Sequence, residues 1–328
     1  MAPIVPPIKC QGIKTKLVRA IKSLYSKDTK GRWIEPFCGS CVVPLNIRPE
    51  RALLCDSNEH IIRFYNDIQS GEITSGLIRE YLLEQGGRLR RQGEAVFYEI
   101  RDQFNHAPTS LAFMFLNRAC FNGVMRFNRK GKFNVPFCRK PGRFARAYIT
   151  KIANQVAECT RILRSVDWQF RCADFRQTLA LATEADFVYA DPPYAGRHVD
   201  YYSSWTEKDE RDLVTTLKAL PCRFLLSTWY RNKYRTNSKV QSEWNAGEFT
   251  INQVEHFYHV GPTEGLRNSM TEALISNFAG VVEPKKTKRD VQLGLFDFVD
   301  DGSACYGERA KQAEPNAEAD GGRDPGSS

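Results

Sequence analysis

Four residues, Asp191-Pro192-Pro193-Tyr194, close a short apolar run, Ala185-Asp186-Phe187-Val188-Tyr189-Ala190, and constrain the chain more than any other stretch. Such a run reads as a buried strand. Proline lacks the N–H and fixes φ, so the ladder must stop there on a stiff backbone. The carbonyls of the Asp-Pro step are left to accept from a ligand beside the Asp191 carboxylate, and Tyr194 offers a flat ring at the same mouth. Acceptors beside a stacking face suit a planar group bearing an NH2, such as a nucleobase. The competing reading is an ordinary strand-to-loop turn capped by Asp191, and the rest of the sequence weighs against it.

At 328 residues with 42% hydrophobic content, the chain can bury a full core in one or two domains. No stretch of 18 apolar residues indicates a membrane span. Residues Met1 to Pro7 lack the charged region and apolar core of a signal peptide. Ten cysteines without a secretory signal suggest reduced thiols, so a cytoplasmic protein is expected. Net charge is +9, and because the last 28 residues hold six acids and three bases the body carries +12. From Arg118 to Lys151 there are ten Lys/Arg and no Asp or Glu, interleaved with Phe121, Phe127, Phe133, Phe137 and Phe144. That block reads as a phosphate-tracking surface rather than a merely solvated face.

A second nucleotide-binding signal lies upstream. Arg32 to Phe37 reads as a strand, Cys38-Gly39-Ser40-Cys41 as a tight turn, and Val42 to Ile47 as a helix. In such a unit, backbone N–H groups at a helix start face the ligand. The next strand, Ala52 to Cys55, ends in Asp56, an acceptor suited to two ribose hydroxyls. The alternative is a dithiol or half a zinc site at Cys38 and Cys41. No second CxxC completes four thiolates, and a redox site leaves Asp56 and the Asp-Pro-Pro-Tyr end unexplained. Asp174, after the strand Asp167 to Cys172, projects at the same sheet edge.

Between these units the β–α alternation breaks. Helices are expected at Asn58 to Ile68, Thr74 to Leu83, Ala95 to Phe104 and Ser110 to Phe121, with Gln85-Gly86-Gly87 separating the second from the third. Arg126 to Phe137 reads as a β-hairpin turning at Lys130-Gly131, with Arg129, Lys130 and Lys132 at its tip. A ribbon of that kind can enter a major groove. Arg126 suits either a bidentate guanine contact or a phosphate contact. A helix from Phe144 to Leu163 leads back to the sheet. Further on, a helix is expected at Thr206 to Leu220 with Thr206 as N-cap, then strands at Arg223 to Thr228, Glu248 to Val260 and Glu272 to Phe278. The last two are joined by a Gly-rich turn. His256 and His259, three apart on a strand, fall on opposite faces and do not suggest a metal.

Taken together, these pieces resemble the Dam-type DNA adenine methyltransferases from about Ile8 to Phe278. "EPFCGSCVVPLN" resembles the family's S-adenosylmethionine loop, "CDSNEHIIRFYNDI" its ribose-binding strand and helix, "RACFNGVMRFNRKGKFNVPF" its DNA-recognition region and "DPPY" its catalytic motif. The resemblance implies an α/β fold: a Rossmann-like class I methyltransferase sheet with helices on both faces, plus an inserted, mostly helical DNA-recognition subdomain with a β-hairpin. Residues 1–70 and 165–282 would be catalytic, 71–164 the insert and 283–328 a flexible tail. It also implies that Lys14, Phe37, Gly39, Asp56 and Asp174 hold S-adenosylmethionine, with Asp191, the Pro192 carbonyl and Tyr194 at the target amino group. Lys9, Asn122, Val124, Arg126, Arg129, Lys130, Lys132 and Pro136 would contact double-stranded DNA, with Phe121 wedged into the stack. Cys41 and Cys10 depart from the pattern, replacing a glycine of the loop and an aromatic beside the cofactor.

The implied reaction is methylation of a flipped adenine's amino group, with GATC as the implied site and no metal. The rivals are a cytosine-amino methyltransferase, against which Asp191 counts, and an inactive DNA-binding protein on the same fold, against which Asp56, Asp174 and Asp191 count. Gln292, Leu293, Leu295 and Phe296 resemble a sliding-clamp-binding pentapeptide, the alternative being a tail segment packed on the body. A monomer is expected.

Overall fold

A computed structural model describes residues 2–25, 29–128, 130–193, 205–231, 235–244, 247–257 and 269–282, with backbone alone at 256, 257, 269 and 270. Five strands run parallel: β1 (Trp33–Glu35), β2 (Arg51–Asp56), β3 (Asp167–Cys172), β4 (Phe187–Ala190) and β5 (Arg223–Arg231). Two more, β6 (Thr250–Phe257) and β7 (Ser269–Ser276), complete a seven-stranded sheet in the order β3-β2-β1-β4-β5-β7-β6. Strand β7 lies antiparallel to both β5 and β6. This is the Rossmann-like α/β sheet that the sequence implied.

Alternation along the strands explains why both faces are covered. Trp33, Leu54, Phe187, Tyr189, Leu225 and Leu274 point into one core, while Ile34, Leu53, Val188, Ala190, Phe224 and Ile275 point into the other. The first core is closed by α1 (Val18–Leu24), α2 (Val42–Ile47), α3 (Glu59–Ser70) and α7 (Arg146–Leu163). The second is closed by α8 (Phe175–Leu179), α9 (Glu207–Lys218) and α10 (Ser238–Glu243), the last not foreseen from sequence. Side chains cap three helices: Asn58 accepts from the His60 N–H, Asp174 from the Arg176 N–H, and Thr206, the N-cap expected from sequence, forms a capping box with Asp209.

The segment between β2 and β3 adds α4 (Ser75–Gln92), α5 (Ala95–His106) and α6 (Ser110–Ala119). Here one expectation fails and one holds in a less regular form. Gly86-Gly87 does not interrupt a helix, because α4 runs straight through it. Gly86 is where Phe144 lies against the helix backbone: a Cβ there would sit 2.5 Å from the Phe144 Cβ. The glycine serves close packing rather than a break. The hairpin at 126–137 forms in a short, irregular version: Phe127 bridges Phe133, the Asn128 N–H donates to the Lys132 carbonyl at 2.9 Å and the Asn134 N–H to the Arg126 carbonyl at 3.2 Å, with the turn at Gly131, where φ is +70°, and Cys120 bridges Phe137. Asn105 on α5 takes up strand-like hydrogen-bonding positions, its Oδ1 accepting from the Phe133 N–H at 2.7 Å and its Nδ2 donating to the Phe133 carbonyl at 3.0 Å. Phe127, Phe133, Phe137 and Phe144 are buried, so of the five interleaved phenylalanines only Phe121, 54% exposed, is available to a partner. The turn at 258–268, the side chains of His256 and His259, and the tail beyond 282 lie outside the described residues.

Candidate active site

Asp191 follows the last residue of β4, and its side chain is 20% exposed. Its Oδ1 is 2.9 Å from the ammonium of Lys14, whose side chain is 3% exposed. Lys14 arrives on the N-terminal loop, donates to the Gly12 carbonyl at 2.9 Å and lies 3.8 Å from Glu272 Oε2. Glu272, on β7, is wholly buried. One lysine thus serves two carboxylates under a low-dielectric roof. Burial raises the Asp191 carboxyl to about 6; Lys14 pulls it down, while Glu272 pushes it up. Behind Asp191 the strand is rigid: Tyr189 shares a 2.7 Å hydrogen bond with Ser227, and its ring stacks on Trp33 at 5.7 Å. Trp33 donates to the Glu35 carboxylate at 2.7 Å, and burial lifts that carboxyl well above its ordinary range.

The β1–α2 turn forms the second part. Gly39 has φ +48° and Cys41 φ +56°, so both lie in the left-handed region. At Cys41 that geometry costs a side-chain-bearing residue about 1 kcal/mol. The Gly39 N–H donates to Asp56 Oδ2 at 2.9 Å, and the Asn58 N–H to Oδ1 at 2.9 Å. Burial raises the Asp56 carboxyl, and these two N–H groups oppose the rise. Cys10 lies between the parts: a Cβ on Gly39 would be 3.8 Å from its Sγ, and burial, then Asp56, Cys41 and Asp191, push its thiol up. Cys38 and Cys41 are buried free thiols, also raised by burial. No group of metal-ligating residues gathers among the described residues.

A third part lies at the next strand end. The Ala173 N–H donates to the Asp56 carbonyl at 3.2 Å, which fixes Asp174 beside β2. Phe37 packs on Phe175 and Trp205, with ring centroids 5.6 Å apart in each case. Asp174 itself is exposed and paired with Arg176 at 3.3 Å. Of the residues chosen from sequence, the fold therefore joins Lys14 to Asp191 and Gly39 to Asp56, and sets Phe37 beside the helix that Asp174 caps. Pro192 is buried, while Tyr194 lies outside the described residues. Glu272 and Glu35 were missed. The signal for Glu272 was a carboxylate heading an otherwise apolar run, Ala273-Leu274-Ile275.

The predicted nucleic-acid residues gather around the end of α6. Asn117, fully buried, accepts from the Lys9 N–H at 2.8 Å and donates to the Lys9 carbonyl at 2.9 Å. Asn122 has φ +53° and Gly123 φ +68°. Gly123 is required: a Cβ there would meet Lys9 Cδ at 2.5 Å. The Phe121 N–H donates to the Pro136 carbonyl at 2.9 Å, holding the exposed ring outward. Arg126 donates from Nε to Asn134 Oδ1 at 2.9 Å. Val124 is half-buried, Lys130 and Lys132 are exposed, and Arg129 is outside the described residues.

Residues 11–260 match the model of the D12 class N6 adenine-specific DNA methyltransferases. The chain belongs to that family. The Retron Ec67 DNA adenine methylase of Escherichia coli is 30% identical over 220 residues, covering 64% of this chain and 71% of that protein. A DNA adenine methylase of Vibrio cholerae is 35% identical over 169 residues, 49% of this chain and 56% of the relative, so the chain spans a little over half of that length. The modification methylase StsI of Streptococcus sanguinis is 26% identical over 287 residues, 84% of this chain and 43% of the relative. Membership makes this a DNA adenine methyltransferase with S-adenosylmethionine as methyl donor. The donor set fits such a group, because Asp191 and Glu272 outnumber the single Lys14, and Asp56 accepts only from two backbone N–H groups, so the site favours a cationic guest.

Proposed function

We propose that the chain is a site-specific adenine methyltransferase acting at a GATC-type sequence in duplex DNA, with Asp191 and the Pro192 carbonyl as the acceptors of the target amino group. The buried Lys14–Asp191 pair at the end of β4 carries this reading. An adenine amino nitrogen is a weak nucleophile because its lone pair is spread into the ring. Two fixed acceptors on its hydrogens favour a pyramidal nitrogen and stabilise the positive charge that grows there during attack. Since the base must leave the stack to reach Asp191, Phe121 fills the gap and Tyr194 takes up the flipped ring. Asp56 holds the ribose of S-adenosylmethionine, Phe37 and Asp174 its adenine, and Gly39 allows close approach. When bound, that molecule supplies the activated methyl group.

Segment 71–164 serves target recognition, with Lys9, Asn122, Val124, Arg126, Arg129, Lys130, Lys132 and Pro136 at the DNA. Gln292 to Phe296 is a sliding-clamp motif, testable by peptide pull-down with purified clamp. Asp191→Asn should cut single-turnover methylation at least a hundredfold while leaving S-adenosylmethionine affinity within a few-fold. Near-normal turnover would reject the role. Modification-sensitive sequencing of DNA from cells expressing the chain reads out base and site together, and methylation outside GATC would reject the site.

A further inference from the structure

A cleft of about 690 Å³ opens between the N-terminal arm and α7. Lys9, Arg118, Arg143 and Lys151 line it, and none of the lining residues is acidic. Tyr148, Lys151 and Gln155 share one face of α7 at helical spacing. Arg118 is 4% exposed and is drawn in by the Pro7 carbonyl, by Gln155 Oε1 at 2.8 Å and by the Tyr148 hydroxyl at 3.3 Å, yet its Nε is buried without a partner. Arg143 donates to the Arg118 carbonyl at 2.9 Å and lies over the Tyr148 ring at 5.2 Å.

Gathering like charges in a partly desolvated cleft is costly unless an anion answers them. Burial, then repulsion from Arg143 and Arg118, lowers the Lys9 ammonium against the pull of Tyr148. Burial alone would raise the Tyr148 phenol, but Arg118, Lys9 and Arg143 outweigh it and bring it below its ordinary value. The residues lining the cleft include no carboxylate to answer these charges.

We propose that this cleft is a DNA-backbone subsite, in which Arg143, Lys151 and Tyr148 hold phosphodiester oxygens flanking the target site. The inference rests on the reading of Lys9 and Asn122 as DNA contacts, since both also line the cleft. Its size favours a stretch of nucleotide chain over a single phosphate ion. Cys10 in its wall feels the charge of Asp191, and Ile13 precedes Lys14, which pairs with Asp191, so the cleft lies close to the catalytic strand end.

The test is duplex binding by the full chain over a salt series, with S-adenosylmethionine affinity measured in parallel. Lys151→Glu and Arg143→Ala should each weaken duplex binding about three- to tenfold and flatten the slope of log K against log salt by about one. Donor affinity should not change. Lys151 is exposed, so its variant keeps the test clean if Arg143→Ala disturbs the fold. Replacing flanking phosphates one at a time by methylphosphonate should weaken wild type and leave Lys151→Glu unaffected at the matching position. Unchanged affinity and slope in Lys151→Glu would overturn the proposal. So would tight binding of inorganic phosphate or a free mononucleotide that does not compete with duplex. Failure of wild type to bind any duplex would instead overturn the DNA-contact reading beneath it.

Discussion

Asp191 accepts through both oxygens only when ionised, yet it is largely withdrawn from water, and burial raises its carboxyl to about 6. Below about pH 6 one acceptor oxygen becomes a donor, so kcat/KM should fall with an acid limb near 6. In kcat the limb should lie lower, because a cationic methyl donor nearby favours the carboxylate. The groups that bear on Asp191 come from four elements: Lys14 on the N-terminal loop, Glu272 on β7, Glu35 on β1 and Tyr189 on β4 itself. Glu272→Gln removes a like charge and should move the limb to lower pH, whereas Lys14→Met removes the stabilising cation and should move it up. A pH–rate series on the three proteins checks this, and coincident limbs would show that Asp191 is not the titrating group. The catalytic carboxylate was readable in sequence because two prolines mark its strand end. Its partner Glu272, 81 positions later, was not, since only the antiparallel insertion of β7 beside β5 brings it to Lys14.

At the scale of elements, strands were legible where apolar runs end in carboxylates or prolines, and helices where caps and apolar periodicity agree, as at Asn58 and Thr206. The misreadings come from tertiary contact. Gly86 looks like a helix break because glycine usually is one, but here it admits Phe144 from the turn before α7, whose ring stacks on Phe115 at 4.9 Å. The alternating phenylalanines of 127–137 were given to a phosphate surface. Alternation says only that one side is buried, and the buried side here is core packed against α5 and α3, where Phe127 stacks on His60 at 5.0 Å. Gly86→Ala should therefore destabilise the protein by about 1–3 kcal/mol despite the better helix propensity of alanine, since its Cβ cannot coexist with Phe144 as placed. Gly87→Ala, whose nearest neighbour is the mobile end of Arg91 at 3.4 Å, should be neutral or stabilising. Denaturant midpoints of the two variants check the contrast, and equal shifts would refute the packing account.

Across the whole molecule, the cofactor turn, the catalytic strand end and the nucleic-acid surface are linked by one short strap, residues 9 to 14. Lys9 lies against Gly123 in the basic cleft, Cys10 beside Gly39, and Lys14 on Asp191. The strap is anchored by Asn117, buried on α6, whose amide closes a two-way hydrogen bond with the Lys9 backbone. A ligand that orders Lys9 thereby orders the segment that positions Lys14, and the reverse holds by linkage. Binding of S-adenosylmethionine should tighten duplex binding, and duplex should tighten S-adenosylmethionine binding by the same factor. Asn117→Ala leaves two buried backbone groups without partners, so a loss of roughly 1–3 kcal/mol in stability is expected. More tellingly, it should reduce the coupling factor towards one while leaving Asp56, Asp174 and the β1–α2 turn able to bind the methyl donor. Titrations of each ligand with and without the other, on wild type and Asn117→Ala, measure the factor directly. If the variant keeps full coupling at reduced stability, Asn117 is only a core hydrogen bond, and communication between the two surfaces does not pass through the strap.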